Sequence, residues 1–210
     1  MVILIKLIFS FEKWAGVDSI LTGISVFLYA LSFIVLSHSD PELGGLLSAL
    51  FLTLTGLLSV KVIVELCNSL KGLDEKWAFW AMLFALAGAF GAAIHGGYDL
   101  ANTINPPSDL TFVGDSPSQV DPRGFLTFAA AAIGLGTFSW LITKSKVFPK
   151  NLGLLGALSA TLMLVLYFGR LIVLSPSDPI IVYPALANGF ILNPLFYIWL
   201  GVVWLKRTKS

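Results

Sequence analysis

Six long apolar segments, separated by short polar connections, make up most of the sequence. They cover residues 18–37, 44–67, 77–103, 124–143, 152–175 and 182–205. A helix needs about 20 apolar residues to cross the roughly 30 Å hydrocarbon core of a bilayer, and each segment reaches that length. The short alternating segments typical of a membrane β-barrel are missing. The pattern therefore predicts an all-α, polytopic membrane protein with six transmembrane helices, in which residues 1–210 form a single domain.

Composition supports this interpretation and excludes several classes of protein. The chain of 210 residues is 57% hydrophobic and only 12% charged, with a mean hydropathy of +0.88. Soluble domains carry about 25% charged residues. A net charge of +1 and a single cysteine, Cys67, argue against nucleic-acid binding and against a disulfide framework. No phosphate-binding loop, HExxH motif or paired-cysteine motif is present, so the sequence names no catalytic residue, no metal ligand and no cofactor.

Basic residues are concentrated on one side of the predicted bundle. Of the two exceptions, Arg123 lies in a connection on the opposite side and Arg170 lies inside the fifth helix. Basic residues in short loops are retained in the cytoplasm, so both termini are predicted to be cytoplasmic. The residues on the basic side are eleven of the thirteen in the chain: Lys6, Lys13, Lys61, Lys71, Lys76, Lys144, Lys146, Lys150, Lys206, Arg207 and Lys209.

The helix ends carry two further signals. Residues 1–16 are apolar, with lysines interspersed, and lack a small-residue cleavage site, which argues against a cleaved signal peptide. We expect this segment to lie on the inner leaflet as an interfacial helix, with the start of a longer first span as the alternative. The tryptophans all fall near the predicted cytoplasmic interface, where indole rings anchor helices: Trp14, Trp77, Trp80, Trp140, Trp199 and Trp204.

Ionisable groups inside membrane spans are costly and mark candidate functional sites. In the third helix, His95, Asp99 and Asn102 share one stripe because they are spaced i, i+4 and i+7, and Tyr98 lies beside them. The fifth helix carries Arg170. Both His95 and Arg170 come eighteen residues after the cytoplasmic starts of their helices, so each is expected about 27 Å from that edge.

This common depth predicts an ion pair between Asp99 and Arg170, because either charge alone would be uncompensated in a low-dielectric region. One interpretation of the pair is a structural clamp between two helices. The other is a ligand pocket open to the outside, in which Arg170 holds an anionic group and His95 exchanges a proton near neutral pH. The candidate ligand-binding residues are His95, Tyr98, Asp99, Asn102, Tyr167, Arg170 and Asn188.

Small residues recur at four-residue spacing in the third helix, at Gly88, Ala92 and Gly96. Such a stripe is typical of helices that pack closely in membranes, and we interpret it as a packing surface. The longest connection, residues 104–123, contains four prolines and three aspartates. We expect it to be an ordinary solvated loop, with an external lid or partner-contact segment as the alternative.

Three further polar features are interpreted structurally. In the sixth helix Asn193 directly precedes Pro194, which predicts a kink whose freed backbone groups the amide can satisfy. Lys61 and Glu65 are four residues apart in the second helix and predict a surface pair. His38 is expected to be exposed at a helix end, so we do not expect the two histidines to share a metal or a haem.

A resemblance adds a prediction about location. The fifth helix is preceded by a basic connection and begins with a Leu-Gly pair, in the string Lys144-Ser145-Lys146-Val147-Phe148-Pro149-Lys150-Asn151-Leu152-Gly153. Together with the aromatic and aliphatic ending over residues 194–206, this part resembles an uncharacterised family of bacterial multi-helix membrane proteins. The resemblance covers the last third of the chain and implies no activity, because that family has none assigned. It implies a location in the cytoplasmic membrane of a prokaryote.

Sequence alone favours an accessory or structural subunit that packs with other membrane proteins or with further copies of itself in the lipid bilayer. The alternative is a small-molecule binding or transport protein that uses the polar cluster around His95, Asp99 and Arg170. An enzyme is the least favoured class, because the chain shows no nucleophile or metal site. Nucleic acid is not an expected partner.

Overall fold

The computed structural model of the protein describes residues 10–105, 120–173, 175 and 177–207. Over these residues the chain is helical apart from short connections and has no β-strand. Six helices are long and apolar enough to span a membrane: α1 (Phe11–Ser39), α2 (Pro41–Leu70), α3 (Glu75–Ile104), α4 (Phe125–Lys144), α5 (Lys150–Ile172) and α6 (Pro179–Lys206). The prediction of an all-α protein with six apolar helices is confirmed.

Polar side chains in the connections start four of the helices. Each of these side chains accepts a hydrogen bond from a backbone amide in the first turn of its helix: Ser10 from Lys13 at 3.3 Å, Asp40 from Leu43 at 3.0 Å, Asp74 from Trp77 at 3.2 Å and Asp178 from Ile180 at 2.9 Å.

α1 begins at Phe11, so residues 11–16 of the predicted interfacial segment are continuous with the first long helix. Residues 1–9 of that segment and residues 106–119 of the predicted loop lie outside the described residues.

The helices alternate in direction and are arranged in a ring. Each helix packs against the next one along the chain, and α6 returns to pack against α1. Because the number of helices is even, α1 begins and α6 ends at the same end of the bundle, here named the terminal end; the opposite end is the distal end. Lys13 of α1 ties the two helices together there, since its Nζ donates to the carbonyl oxygens of Leu205 at 2.5 Å and Arg207 at 3.0 Å.

Glycines on α3 allow this helix to approach its neighbours closely. A Cβ atom on Gly96 would lie 2.6 Å from the backbone nitrogen of Thr53 on α2, and one on Gly88 would lie 2.7 Å from the Cα of Ala131 on α4. Real Cβ atoms do not approach backbone atoms this closely, so each contact requires a glycine. The packing role predicted for the small-residue stripe is confirmed at both positions.

Three of the helices contain a π-helical stretch in their distal halves. The stretches are Leu31–Leu36 in α1, Phe125–Ala130 in α4 and Asn188–Leu192 in α6. In α6 the stretch directly precedes Asn193 and Pro194, whose ring nitrogen cannot donate the usual helical hydrogen bond. The helix is thus irregular next to the dipeptide where a kink was predicted. Such interruptions occur frequently at functional sites. The predicted role of the amide is wrong, because Asn193 Nδ2 lies 3.9 Å from Met163 Sδ and its Oδ1 has no hydrogen-bond partner among the described residues.

The predicted surface pair of Lys61 with Glu65 is wrong. Lys61 Nζ instead lies 2.5 Å from Asp18 Oδ2 on α1. Glu65 is buried and accepts a hydrogen bond from Ser69 at 3.2 Å. The prediction failed because it treated this part of α2 as a free surface, whereas α1 packs over it and brings Asp18 to the lysine.

Tryptophans gather at the terminal end, but they do not all anchor the helices at a surface. Trp77 packs edge-on against Trp80 and Trp140, with ring centroids 5.6 and 5.8 Å apart. Trp204 is fully buried and contacts Phe148. On the outside of the ring, large apolar side chains are exposed on every helix. An apolar surface of this extent fits a hydrocarbon environment better than water.

Candidate functional site

A cavity of about 940 Å³ lies inside the ring of helices. All six helices contribute to its wall. Its edge includes the exposed residues His38 and Ser177, so the cavity reaches the surface at the distal end. Ligand pockets occupy roughly 300–1,000 Å³, which places this cavity at the upper end of that range. It is large enough for a small-molecule ligand and is the candidate functional site.

The wall of the cavity is mostly apolar. Small residues of α3 leave the space open on one side: Ala85, Gly88, Ala89 and Ala92. Larger side chains close the cavity toward the terminal end: Leu66, Phe138 and Phe196. Beyond them, Leu200 and Trp204 are fully buried. The cavity is therefore a blind apolar pocket whose mouth lies at the distal end.

Arg170 lies in the last turn of α5 and lines the cavity near its mouth. Its guanidinium lies over the ring of Phe128 on α4, with 5.4 Å between Cζ and the ring centroid. Gly124 makes room for this ring, because a Cβ atom at that position would overlap Phe128, whereas its distance of 3.4 Å from Arg170 Nη1 would be an ordinary contact. Gly124 also has a φ of +78°, a backbone conformation that favours glycine.

Arg123 is brought to the same mouth by the turn that begins α4. Asp121 organises this turn, because its carboxylate accepts hydrogen bonds from the backbone amides of Leu126 and Thr127, both at 2.9 Å, and from the Thr127 hydroxyl at 2.6 Å. Arg123 itself has a φ of +61°, which is uncommon for a residue with a side chain. A strained conformation held by its neighbours is a feature found at functional sites.

The mouth of the cavity is positively charged. Arg123 and Arg170 both line it, and no aspartate or glutamate among the described residues does so. Neither arginine has a carboxylate partner within 4 Å in the part of the chain that the structure describes. Two arginines in a partly apolar site, to which the described residues supply no counter-ion, favour the binding of an anion.

Polar side chains also line the middle of the cavity. Asn188 is buried, and its Oδ1 accepts a hydrogen bond from Ser159 at 2.6 Å, which leaves the amide N–H groups available to the cavity. Thr55 Oγ1 and Asn193 Oδ1 are buried and have no hydrogen-bond partner among the described residues. Leaving such groups unpaired costs about 1–3 kcal/mol each. They therefore favour a water molecule or a polar group of a ligand at this level.

The seven candidate ligand-binding residues do not form one cluster. Arg170 and Asn188 line the cavity. His95 Nε2 lies 3.1 Å from Asp99 Oδ2, so these two pair with each other within α3. The predicted Asp99–Arg170 ion pair is wrong, because no such contact within 4 Å joins them. The remaining candidates stay outside the cavity wall, as His95 and Asp99 do: Tyr98, Asn102 and Tyr167.

The ring order explains why Asp99 and Arg170 do not meet. Counting residues along α3 and α5 gives the depth of Asp99 and Arg170 but not the direction in which each side chain points around its helix axis. In the ring, α3 packs against α2 and α4, whereas α5 packs against α4 and α6. α4 therefore lies between the two helices, and Arg170 meets Phe128 of α4 instead.

Sequence reasoning overlooked several residues of the site. Arg123 entered the sequence analysis only as a charge in a connecting loop. Asn193 entered it only as part of the predicted kink. Thr55 gave no signal, because a single threonine in an apolar helix usually bonds to its own backbone. Tyr29 lines the cavity and interacts electrostatically with both Arg170 and Asp99. As the single tyrosine of the first span, it was a signal that could have been used.

The described residues contain no group of three or more His, Cys, Asp and Glu side chains that could hold a metal ion. His38 and His95 are both present in this part, but His38 is exposed at the cavity edge and His95 is paired with Asp99. Comparison of the chain with models of protein families, with curated proteins and with solved structures finds no match.

Proposed function

We propose that the protein is a multi-pass membrane protein that binds or transports an amphipathic anion held in the cavity. The observation that carries this proposal is the pair Arg123 and Arg170 at the mouth of an otherwise apolar pocket of about 940 Å³, with no described carboxylate in its wall. The accessory-subunit function favoured by sequence alone stays a prediction, because nothing in a single chain tests it.

The chemistry of the ligand follows from the two parts of the pocket. A guanidinium presents a planar fork of N–H donors that matches a carboxylate or a phosphate. Burial of an apolar chain against the wall contributes about 25 cal/mol per Å² of surface removed from water. A molecule with an anionic head and an apolar body satisfies both parts, whereas a small inorganic anion would leave the apolar wall unfilled.

The polar groups in the middle of the cavity refine this picture. Asn188 offers amide donors, and Asn193 offers an unpaired carbonyl oxygen. A ligand that carries a hydroxyl or carbonyl group along its body would pair with them. A plain hydrocarbon chain would leave these groups to water molecules, each of which needs two to four polar partners.

The charge pattern of the whole chain supports an orientation for the pocket. The terminal end carries most of the basic residues, and basic residues in short loops are generally retained in the cytoplasm. We propose that both termini are cytoplasmic and that the cavity opens away from the cytoplasm, in the cytoplasmic membrane of a prokaryote. In this orientation the arginines lie near the outer membrane interface, where the head of an amphipathic ligand would lie.

Thermal unfolding in an uncharged detergent tests the proposal. Decyl phosphate is the probe, and decanol is the uncharged compound of the same chain length. At about ten times its Kd, a ligand stabilises the native state by about 1.4 kcal/mol, which corresponds to a rise in Tm of about 3–6 °C for a chain of this size. We expect that rise with decyl phosphate and a much smaller one with decanol.

Matched variants connect the effect to the pocket. The double variant Arg123→Gln/Arg170→Gln should lose the response to decyl phosphate. Lys76→Gln removes one positive charge from an exposed position at the terminal end and should keep the response. An equal response of the wild-type protein to decanol and decyl phosphate, or an unchanged response of the double variant, would overturn the proposal.

A further inference from the structure

α1 and α6 pack closely along their terminal halves. A Cβ atom on Gly23 of α1 would lie 2.8 Å from the carbonyl oxygen of Pro194 on α6. Further along, the rings of Phe27 and Phe190 meet edge to face, with centroids 5.6 Å apart. The contact extends to the level of Gly189, where a Cβ atom would lie 2.9 Å from the Cβ of Ala30.

Beyond this level the two helices separate. Residues Leu31–Leu36 of α1 pack against α2, and residues Pro179–Ala187 of α6 pack against α5. No comparable packing joins these two described segments to each other. Both nevertheless line the same cavity, through Ile34 on one side and Val182 and Ala185 on the other. The ring is thus closed near the terminal end and open between α1 and α6 near the distal end.

The separation coincides with changes in helix type. The π-helical stretch Leu31–Leu36 begins directly after Ala30, and the stretch Asn188–Leu192 contains Gly189. Each π turn widens the helix and rotates the residues beyond it relative to an uninterrupted α-helix. The two stretches therefore lie where α1 and α6 diverge, one on each side of the gap.

Both segments that border the gap carry exposed apolar side chains. Phe33 and Val35 on α1 are 57% and 53% exposed, and Ile180 and Tyr183 on α6 are 49% and 69% exposed. In a helix that spans a bilayer, these positions lie in or near the hydrocarbon of the leaflet at the distal end. A gap between such segments would open toward lipid chains.

Arg170 lies at about the same level of the bundle as the gap between α1 and α6. Its neighbour Gly169 packs against Ile181 of α6, where a Cβ atom would lie 3.1 Å from Ile181 Cγ1. Arg170 thus comes close to the level of the distal part of the gap, at the edge of the predicted membrane core. An anionic head could stay at the membrane interface while its chain enters the cavity from the side.

We infer that the ligand is an anionic lipid of the surrounding bilayer, which enters the cavity sideways between the distal halves of α1 and α6. This inference rests on the proposed function and deepens it by naming the class and source of the ligand. The arginines select the anionic head, the gap admits the acyl chain, and the apolar wall holds it.

A cross-link across the gap tests the route. Val35→Cys and Tyr183→Cys, at exposed positions of the two segments that do not line the cavity, are introduced together in a Cys67→Ser background, since Cys67 is the chain's single cysteine. The purified protein is joined with a flexible bis-maleimide and placed in nanodiscs of phosphatidylcholine that contain one tenth phosphatidylglycerol. After extraction, native mass spectrometry counts the lipids retained. The same protein without cross-linker is the matched control, and decyl phosphate in detergent probes binding from water.

The expected result is retention of one phosphatidylglycerol by the open protein and at least a fivefold loss of that retention after cross-linking, while the response to decyl phosphate remains. Equal retention of phosphatidylglycerol in the cross-linked protein would overturn the lateral route. Binding of decyl phosphate without retention of phosphatidylglycerol by the open protein would overturn the bilayer as the source and leave the proposed function standing. If the open protein neither binds decyl phosphate nor retains phosphatidylglycerol, the proposed function is overturned as well.

Discussion

Arg170 of α5 lies over the aromatic ring of Phe128 of α4, with 5.4 Å between the guanidinium carbon and the ring centroid. The face of an aromatic ring carries partial negative charge and attracts a cation. Phe128 therefore stabilises the arginine at the cavity mouth without competing for its N–H donors, as a carboxylate would. This arrangement keeps the guanidinium available to an anionic ligand.

Phe128→Leu should weaken the binding of decyl phosphate about two- to thirtyfold, because a cation–π contact contributes about 0.5–2 kcal/mol. Titration by ligand-induced thermal stabilisation measures the change. In an Arg170→Gln background the same substitution should have no further effect on the anion. Phe79→Leu, which changes an exposed phenylalanine of α3, is the control and should leave the affinity unaltered. Equal losses in both backgrounds would show that Phe128 acts only on the shape of the cavity.

Asp18 and Lys61 should be energetically coupled. Asp18 is 9% exposed as a residue, whereas the Lys61 side chain is 37% exposed. The coupling free energy should exceed the ~1 kcal/mol of exposed ion pairs and remain below the roughly 3–5 kcal/mol lost when a fully buried pair is broken. A double-mutant cycle of Asp18→Asn and Lys61→Met, read from the free energy of unfolding, measures it.

The control for this cycle combines Lys61→Met with Glu65→Gln. Lys61 pairs with Asp18, and Glu65 bonds to Ser69, so the two substitutions should be additive within about 0.5 kcal/mol. Coupling of Lys61 to Glu65 as strong as its coupling to Asp18 would contradict the observed pairing.

Gly96 and Gly97 offer a matched pair of neighbouring substitutions. Gly96→Ala should destabilise the protein by more than 1 kcal/mol, because its Cβ would lie 2.6 Å from the backbone nitrogen of Thr53. Gly97→Ala has open space around its Cβ and should be neutral or stabilising by up to about 1 kcal/mol. Unfolding in mixed detergent micelles measures both. Equal destabilisation would contradict the close contact of α3 with α2.

Ser159→Ala should destabilise the protein by about 1 kcal/mol, because it leaves the buried Oδ1 of Asn188 without its donor. Asn188→Leu removes the polar group itself, so the two substitutions together should cost less than the sum of their separate effects. Hydrogen bonds between membrane helices couple by about 0.6 kcal/mol on average. Strict additivity in the free energy of unfolding would place the Ser159–Asn188 bond in doubt.

Orientation can be measured by cysteine labelling in a Cys67→Ser background. A membrane-impermeant maleimide should label Ser177→Cys, at the distal end, in intact cells. It should label Lys150→Cys, at the terminal end, only after the membrane is permeabilised. Both positions are exposed. The reverse pattern would place the termini outside and the cavity mouth toward the cytoplasm.

The sequence alone determined the number of helices and most of their bounds. Six segments of sufficient length and hydropathy can satisfy their backbone hydrogen bonds only as helices when they cross a membrane. The starts of two helices could also be predicted from local sequence, because Asp40 and Asp178 each directly precede a proline at the first position of a helix. The glycine stripe of α3 also indicated close packing without any knowledge of the partner helices.

Only the tertiary structure decided which side chains meet. Residue counting placed Asp99 and Arg170 at one depth, but whether the two side chains meet depends on the ring order, which puts α4 between their helices. Asp18 reaches Lys61 for the same reason, since 43 residues separate them and only packing of α1 on α2 joins them. The cavity, the presence of both Arg123 and Arg170 at its mouth, and the gap between α1 and α6 all arise from long-range packing. A linear pattern records the period of a helix but not the neighbour that each of its faces will contact.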